Sequence, residues 1–199
     1  MSVRLALVNL WGYPGVMAGR REQILDTAAT LFAARGFHGV SVVELGAACG
    51  ISGPALYKHF PSKDAVLAEM LVAISEELLS VGRARSAGAD DPVVALRALV
   101  AWHVDFALHH QPLIVVQDRD WANLPDEARE KVRGLQRAYV DLWADRLCEV
   151  HHDLTAVRAR AMAHAAFGLI NSTPHSARLP EPEMSAMLER MALGALGLQ

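Results

Sequence analysis

The sequence predicts an all-α chain in two parts, an N-terminal three-helix helix-turn-helix module and a larger C-terminal helical domain, joined by one long helix. Three observations carry that prediction. Apolar residues recur with a period near 3.6 in almost every segment, no alternating Val/Ile/Thr-rich run stands out as a strand, and Gly and Pro fall between the periodic stretches. At 199 residues the chain can hold a small module and a second, sizeable core.

Ile24, Leu25, Ala28, Leu31 and Phe32 form one face of a first helix, which Gly36 is suited to end. Ser41 opens a second helix, and Glu44 completes a Ser-x-x-Glu box in which each side chain satisfies a free backbone N–H. That helix runs to about Cys49, where Gly50 permits a tight turn. Ser52 caps a third helix with Pro54 in its first turn, where a missing N–H costs nothing, and the pattern carries it through Phe60. Pro61 stops it, Ser62 caps the next, and Lys63 to about Arg85 form a long amphipathic connector. Residues 88–92 read as a loop and helix start, followed by a helix to about His110 and a break at Gln111-Pro112. The spacing assigns no element to residues 113–124. Pro125-Asp126-Glu127 makes a helix N-terminus with acids placed to favour the dipole, and that helix extends to Val150. Residues 155–171 and 183–197 are the last two helices, with a Pro-containing loop between them. The expected organisation is a tail over 1–17, the helix-turn-helix module over 18–66 and the C-terminal domain over 67–199.

Apolar residues make up 52% of the chain and charged residues 21%, which excludes a disordered polypeptide and favours one that hides surface in an oligomer. No apolar run approaches the ~18 residues of a membrane-spanning helix. The Leu5–Leu10 stretch is short and lacks a cleavage site, so it reads as a tail and not a signal peptide, with Met17 as an alternative translation start. Cys49 and Cys148 show no motif spacing and read as reduced thiols of a cytoplasmic protein. The net charge of −3 is uneven: residues 1–70 carry six Lys or Arg against five Asp or Glu, and residues 71–199 carry thirteen against seventeen. The N-terminal part is the one able to approach phosphates.

Residues 41–59 place a capped short helix, a Gly-containing turn and a second short helix at helix-turn-helix spacing. The longer string from Gly39 to Leu67, with Gly50-Ile51-Ser52-Gly53-Pro54-Ala55-Leu56-Tyr57-Lys58-His59-Phe60-Pro61 at its centre, closely resembles the DNA-binding domain of the TetR family. The resemblance covers about residues 20–67. It departs at Gly46 and Cys49, where alanine is more usual, and at Pro54, where many members have glycine. It implies a double-stranded operator as partner. Ser41, Tyr57 and Lys63 are then expected on the phosphate backbone, with Ser52 capping the recognition helix. Gly53, Pro54 and Ala55 are expected to read bases, with Lys58 one turn on and His59 as a second polar candidate. On that reading Lys63→Ala lowers the salt slope of binding by about one unit. Leu56 and Phe60 belong to the module's core.

The resemblance also implies that the C-terminal half binds a small-molecule effector and forms a homodimer. Trp102, Phe106, Trp121, Tyr139, Trp143 and Phe167 supply bulk for a pocket, and His103, Asp105, His109, Gln117 and Asn171 supply polar contacts; helical core packing is the alternative for each. The stretch from His109 to Asp118 looks like the corresponding part of TetR-type regulators of lipid or steroid breakdown that respond to CoA thioesters, which suggests an acyl-CoA or another bulky apolar metabolite. Ala161, Ala165 and Gly168 permit close helix approach, and Met184, Met187, Leu188, Met191 and Ala195 make an apolar stripe. Together they predict a four-helix dimer interface and a palindromic operator with half-sites ~34 Å apart, with core burial as the alternative.

The expected function is therefore that of a repressor released by its ligand, through a population shift in which the 63–85 connector moves the recognition helices. An architectural DNA binder without a ligand and an α-helical enzyme are the competing classes. Against the enzyme, His109-His110 and His151-His152 are adjacent pairs whose members point about 100° apart on a helix, not an i, i+4 metal pair. No Ser-His-Asp, Cys-x-x-Cys or phosphate-cradling glycine pattern occurs, so no catalytic residue, metal or cofactor is expected.

Overall fold

The computed structural model describes residues 19–198, and every regular element among them is helical. The readings of residues 1–17 as a tail, and of Met17 as a start, lie outside the described residues.

Three helices build the N-terminal module: α1 (Arg20–Arg35), α2 (Val42–Ala48) and α3 (Gly53–Leu56). Ile24, Leu25, Ala28 and Phe32 of α1 meet Leu45, Leu56 and Phe60 in its core. The Ser41–Glu44 box closes as expected: the Glu44 N–H donates to Ser41 Oγ at 3.2 Å and the Ser41 N–H to Glu44 Oε2 at 2.9 Å. Gly50 turns the chain at φ +69°, a conformation that a Cβ would strain. The third helix is shorter than its pattern suggests. After Leu56 the backbone bonds tighten, with the Lys58 N–H on Ala55 O and the His59 N–H on Leu56 O, so residues 57–59 form a turn.

Ser62 caps α4 (Lys63–Ala87), accepting from the Ala65 N–H at 3.0 Å. Its 25 residues span about 37 Å and lead into the second domain. There follow α5 (Pro92–His109), capped by the Asp91 carboxylate, and α6 (Gln111–Asp120). Gln111-Pro112 is thus the opening turn of a helix, where proline's missing N–H is harmless, and not a plain break. A 3₁₀ turn over Trp121–Asn123 joins α6 to α7 (Asp126–Val150). The chain ends in α8 (Ala156–Ile170), the one-turn α9 (Thr173–Ser176), which the sequence pattern did not indicate, and α10 (Glu181–Ala195).

The second domain is a bundle in which α7 packs on α4, α5 and α8, while α10 lies against α5 and α8. Gly82 of α4 lets α7 come close, since a Cβ there would stand 2.7 Å from Tyr139 Cε2. α6 instead crosses the boundary and packs on α1. Met184 and Leu188 are buried within the protomer, at 1% and 2% exposure, which removes them from the expected dimer stripe: their side of α10 faces α5 and α8. Met191 and Ala195 are exposed, Met187 is half-buried, and Ala161, Ala165 and Gly168 lie exposed on α8.

Candidate DNA interface and effector cavity

On the outer face of the helix-turn-helix, Ser52, Pro54, Tyr57 and Lys58 are exposed, and Ala55 and His59 are half-buried. Ser52 Oγ accepts from the Ala55 N–H at 3.3 Å, and the Tyr57 side of the turn is 54% exposed at that residue. This is a surface of one cation, one phenol and one hydroxyl around a proline, suited to backbone and thymine-methyl contacts.

Three of the expected contact residues are committed elsewhere. Gly53 is buried against Val43 of α2, so it spaces the two helices and presents nothing to a base. The Ser41 hydroxyl donates to Glu44 Oε2 at 2.7 Å, and Glu44 also pairs with Arg35 at 2.8 Å. Hydrogen bonds from the Ser41 side chain and backbone, then from Arg35, hold the Glu44 carboxyl down at about 2, so an anion stands where a phosphate acceptor was expected. Lys63 Nζ donates to the carbonyls of Phe37 at 2.7 Å and Val40 at 2.8 Å and sits 4.3 Å from the Phe37 ring centre. That ammonium stitches the α1–α2 loop.

In the C-terminal domain a cavity of ≈ 210 Å³ opens between α4, α5, α6, α7 and α8. Of the residues expected there, His103, Phe106, Gln117, Tyr139, Phe167 and Asn171 line it. Aliphatic walls come from Ile74 and Leu78 of α4, Leu113 and Ile114 of α6, and Leu135 and Val140 of α7. His103, Phe167 and Tyr139 stack, with His103 4.7 Å from Phe167 and 5.7 Å from Tyr139. His103 Nε2 bonds Asn171 Oδ1 at 3.1 Å, while its Nδ1 is buried without a partner. Burial, partly opposed by the Asn171 bond, holds the imidazole down at about 4, so the ring is neutral at pH 7. Burial likewise pushes the Tyr139 phenol well above its ordinary value. The exposed Asp118 and His164 mark the mouth.

Trp102, Trp121 and Trp143 do not line the cavity. Trp102 is locked between α4 and α5, its Nε1 donating to Leu78 O at 3.3 Å with Arg85 over the ring. Trp121 lies under Arg133 in the 3₁₀ turn. Trp143 stands one layer behind, its edge on Phe167 at 4.8 Å. Asp105 and His109 pair with each other on the surface. Among the described residues no three His, Cys, Asp or Glu side chains are gathered to hold a metal ion.

Residues 24–70 match the family described as "Bacterial regulatory proteins, tetR family", and residues 89–175 match "Tetracyclin repressor-like, C-terminal domain". The chain is 32% identical over 160 residues to the HTH-type transcriptional activator FasR of Mycolicibacterium smegmatis, covering 80% of this chain and 71% of that protein. The chain belongs to the TetR family. It is thus a transcriptional regulator, in a family of DNA-binding regulators and not of enzymes. It is also 32% identical over 127 residues to the HTH-type transcriptional repressor KstR2 of Rhodococcus jostii, a match spanning 63% of this chain and 62% of that repressor's length. Among solved structures, a TetR-family transcriptional regulator from Bordetella parapertussis superposes with a TM-score of 0.81 at 26% identity, covering 92% of this chain and 96% of that one.

As a TetR-family protein the chain has a further feature that sequence reasoning missed, the bond set between its two domains. Arg119, at the end of α6, donates to Phe32 O and, at 3.0 Å, to Ala33 O at the C-terminus of α1. Asp120 is buried and accepts from the Phe37 N–H at 3.3 Å, and Asn123 meets His38 Nε2 at 2.8 Å. Within the module, Arg20 donates to Cys49 O at 2.8 Å, and Arg21 binds both Glu69 and His59 O beneath the recognition turn. These arginines look like surface charges in a one-dimensional pattern. Only their distant carbonyl partners reveal them.

Proposed function

We propose that this TetR-family regulator is a homodimeric repressor that holds a palindromic operator through the Ser52–Lys58 surface and is released by a small, mainly apolar effector in the C-terminal cavity. The observation that carries this reading is the double duty of α6. Leu113, Ile114 and Gln117 form one wall of the cavity, and Arg119 and Asp120, two and three residues on from Gln117, grip the end of α1 and the α1–α2 loop. A ligand that wedges α6 away from α7 shifts the module that it grips, while α4, which carries Ile74 and Leu78, links the same cavity to the recognition turn. Coupling through α6 adds a route to the connector swing of the long helix. The exposed small-residue face of α8 beside Met191 and Ala195 of α10 supports the dimer. The cavity would enclose only the acyl part of an acyl-CoA, because among the described residues its lining holds no Lys or Arg for the phosphates.

Selection of bound sequences from random duplex DNA at one near-physiological salt concentration tests the reading, followed by titration of metabolites against the winning site. An enriched palindrome whose complex weakens with one compound is the expected result. No enriched sequence, or a monomer at micromolar concentration, overturns it. A site at which binding raises transcription makes the protein an activator instead. The α6 route has its own expected outcome. Asp120→Ala removes the acceptor of the Phe37 N–H, and the effector's effect on operator affinity, ~5–150-fold in coupled systems, should shrink at least fivefold while effector binding changes little. Unchanged coupling in that variant would leave the connector as the sole path.

A further inference from the structure

From the cavity's own chemistry, and resting on the effector reading above, we infer that its ligand is a compact, uncharged molecule that donates a hydroxyl or N–H hydrogen to His103 Nδ1. His103 is 3% exposed and lines the cavity. With Asn171 Oδ1 as acceptor the ring proton lies on Nε2, which leaves Nδ1 a bare acceptor with no protein partner. The rings of Phe167 and Tyr139 pack against the imidazole, and its Nε2 is tied to Asn171. An unpaired buried acceptor is costly, and a donor brought by a ligand removes that cost. The ring is already neutral at pH 7, so it does not attract an anion as a cation would. Among the described residues the lining carries no Lys or Arg, and its one carboxylate, Asp118, stands at the mouth, where it repels anions. The volume of ≈ 210 Å³ lies below the ~300–1,000 Å³ of sites for drug-sized ligands, which limits the occupant to a small ring system or short chain.

The test uses the full-length protein and four probes: 2-naphthol, 2-methoxynaphthalene, 2-naphthoate and decanoyl-CoA, titrated by calorimetry and then against the selected operator complex. The expected order is 2-naphthol at least tenfold tighter than 2-methoxynaphthalene, which keeps the oxygen but lacks the donor, with 2-naphthoate weakest. In His103→Phe the preference for the alcohol should vanish. Nitrogen-15 spectra of the wild type give a readout that does not depend on the variant's folding. His103 is assigned through its ring contacts with Phe167 and Tyr139, and its Nδ1 resonance should move upfield on addition of 2-naphthol. Tighter binding of 2-naphthoate or decanoyl-CoA overturns the inference, as do an Nδ1 resonance that does not move, a preference that survives in His103→Phe, or no binding by any probe. Operator release by decanoyl-CoA alone leaves the regulator reading intact while this inference fails. Selective 2-naphthol binding that leaves the operator complex unchanged upholds the inference and counts against release from this cavity.

Discussion

Lys63→Ala is expected to destabilise the DNA-binding module by about 2–3 kcal/mol, the range for losing hydrogen bonds from a charged donor at a part-buried site. The ammonium serves two carbonyls, Phe37 O and Val40 O, and lies over the Phe37 ring. Removing it takes the ammonium donor from Val40 O and leaves Phe37 O only the long bond from the Val40 N–H at 3.5 Å, in the loop that also receives Asp120 from α6. Urea unfolding measures the loss directly. DNA binding should weaken alike on every operator variant, by way of the folded fraction, and the slope of log affinity against log salt should stay as it is. Lys58→Ala is the contrast: its side chain is exposed on the recognition turn, and its loss should lower that slope by about one unit with little change in stability. A reduced slope and normal stability in Lys63→Ala would return this residue to the phosphate backbone.

That lysine shows where the sequence is legible and where it is not. Caps are local: Ser41, Glu44, Ser52 and Ser62 satisfy N–H groups within three residues, so the helix starts can be read from spacing alone. The partners of Lys63 lie 23 and 26 residues back, and nothing in the pattern of residues 61–65 points to them. Residues 113–124 resist assignment for a related reason. α6 is buried on two sides, with Leu113 and Ile114 toward the cavity and its other side on α1, so no single apolar stripe stands out. Asp120, a carboxylate in a helix's last turn, reads as solvent-facing until the Phe37 N–H is seen beside it. Side-chain bulk locates the C-terminal core but not its hollow. Tyr139 and Trp143 are one turn apart on the same helix, yet Tyr139 lines the cavity and Trp143 stands behind Phe167. The α10 stripe divides in the same way, since an apolar band wide enough to serve two surfaces does not say which residue serves which.

The second large effect is a loss of stability in mild acid that traces to one imidazole. In the folded chain His103 titrates at about 4, held down first by burial, whereas in the unfolded chain it takes the ordinary value near 6.5. Between those values the unfolded state binds more protons. The contribution of the neutral ring is therefore complete above pH 6.5 and declines as pH falls, with about 3 kcal/mol gone by pH 4. Glu44, held at about 2 by its Ser41 bonds, acts lower: its contribution is present above about 4.5 and is lost only below that. Unfolding measured between pH 7.5 and 4.5 at fixed protomer concentration reads His103 together with Glu77, whose carboxyl burial pushes above its ordinary value and which therefore opposes the loss as pH falls; comparison with His103→Phe separates the two. Tyr139 stays neutral throughout this window, and Asp118 and His164 share the cavity's lining only at its exposed mouth. His103→Phe keeps an aromatic ring against Phe167 and should flatten the slope; equal slopes in the two proteins would mean that the imidazole is solvated. The same titration constrains the effector. A donor bound at Nδ1 needs the neutral ring, which is already the folded form down to about pH 5, so its affinity should stay level from neutrality to that point and fall only as the ring begins to charge.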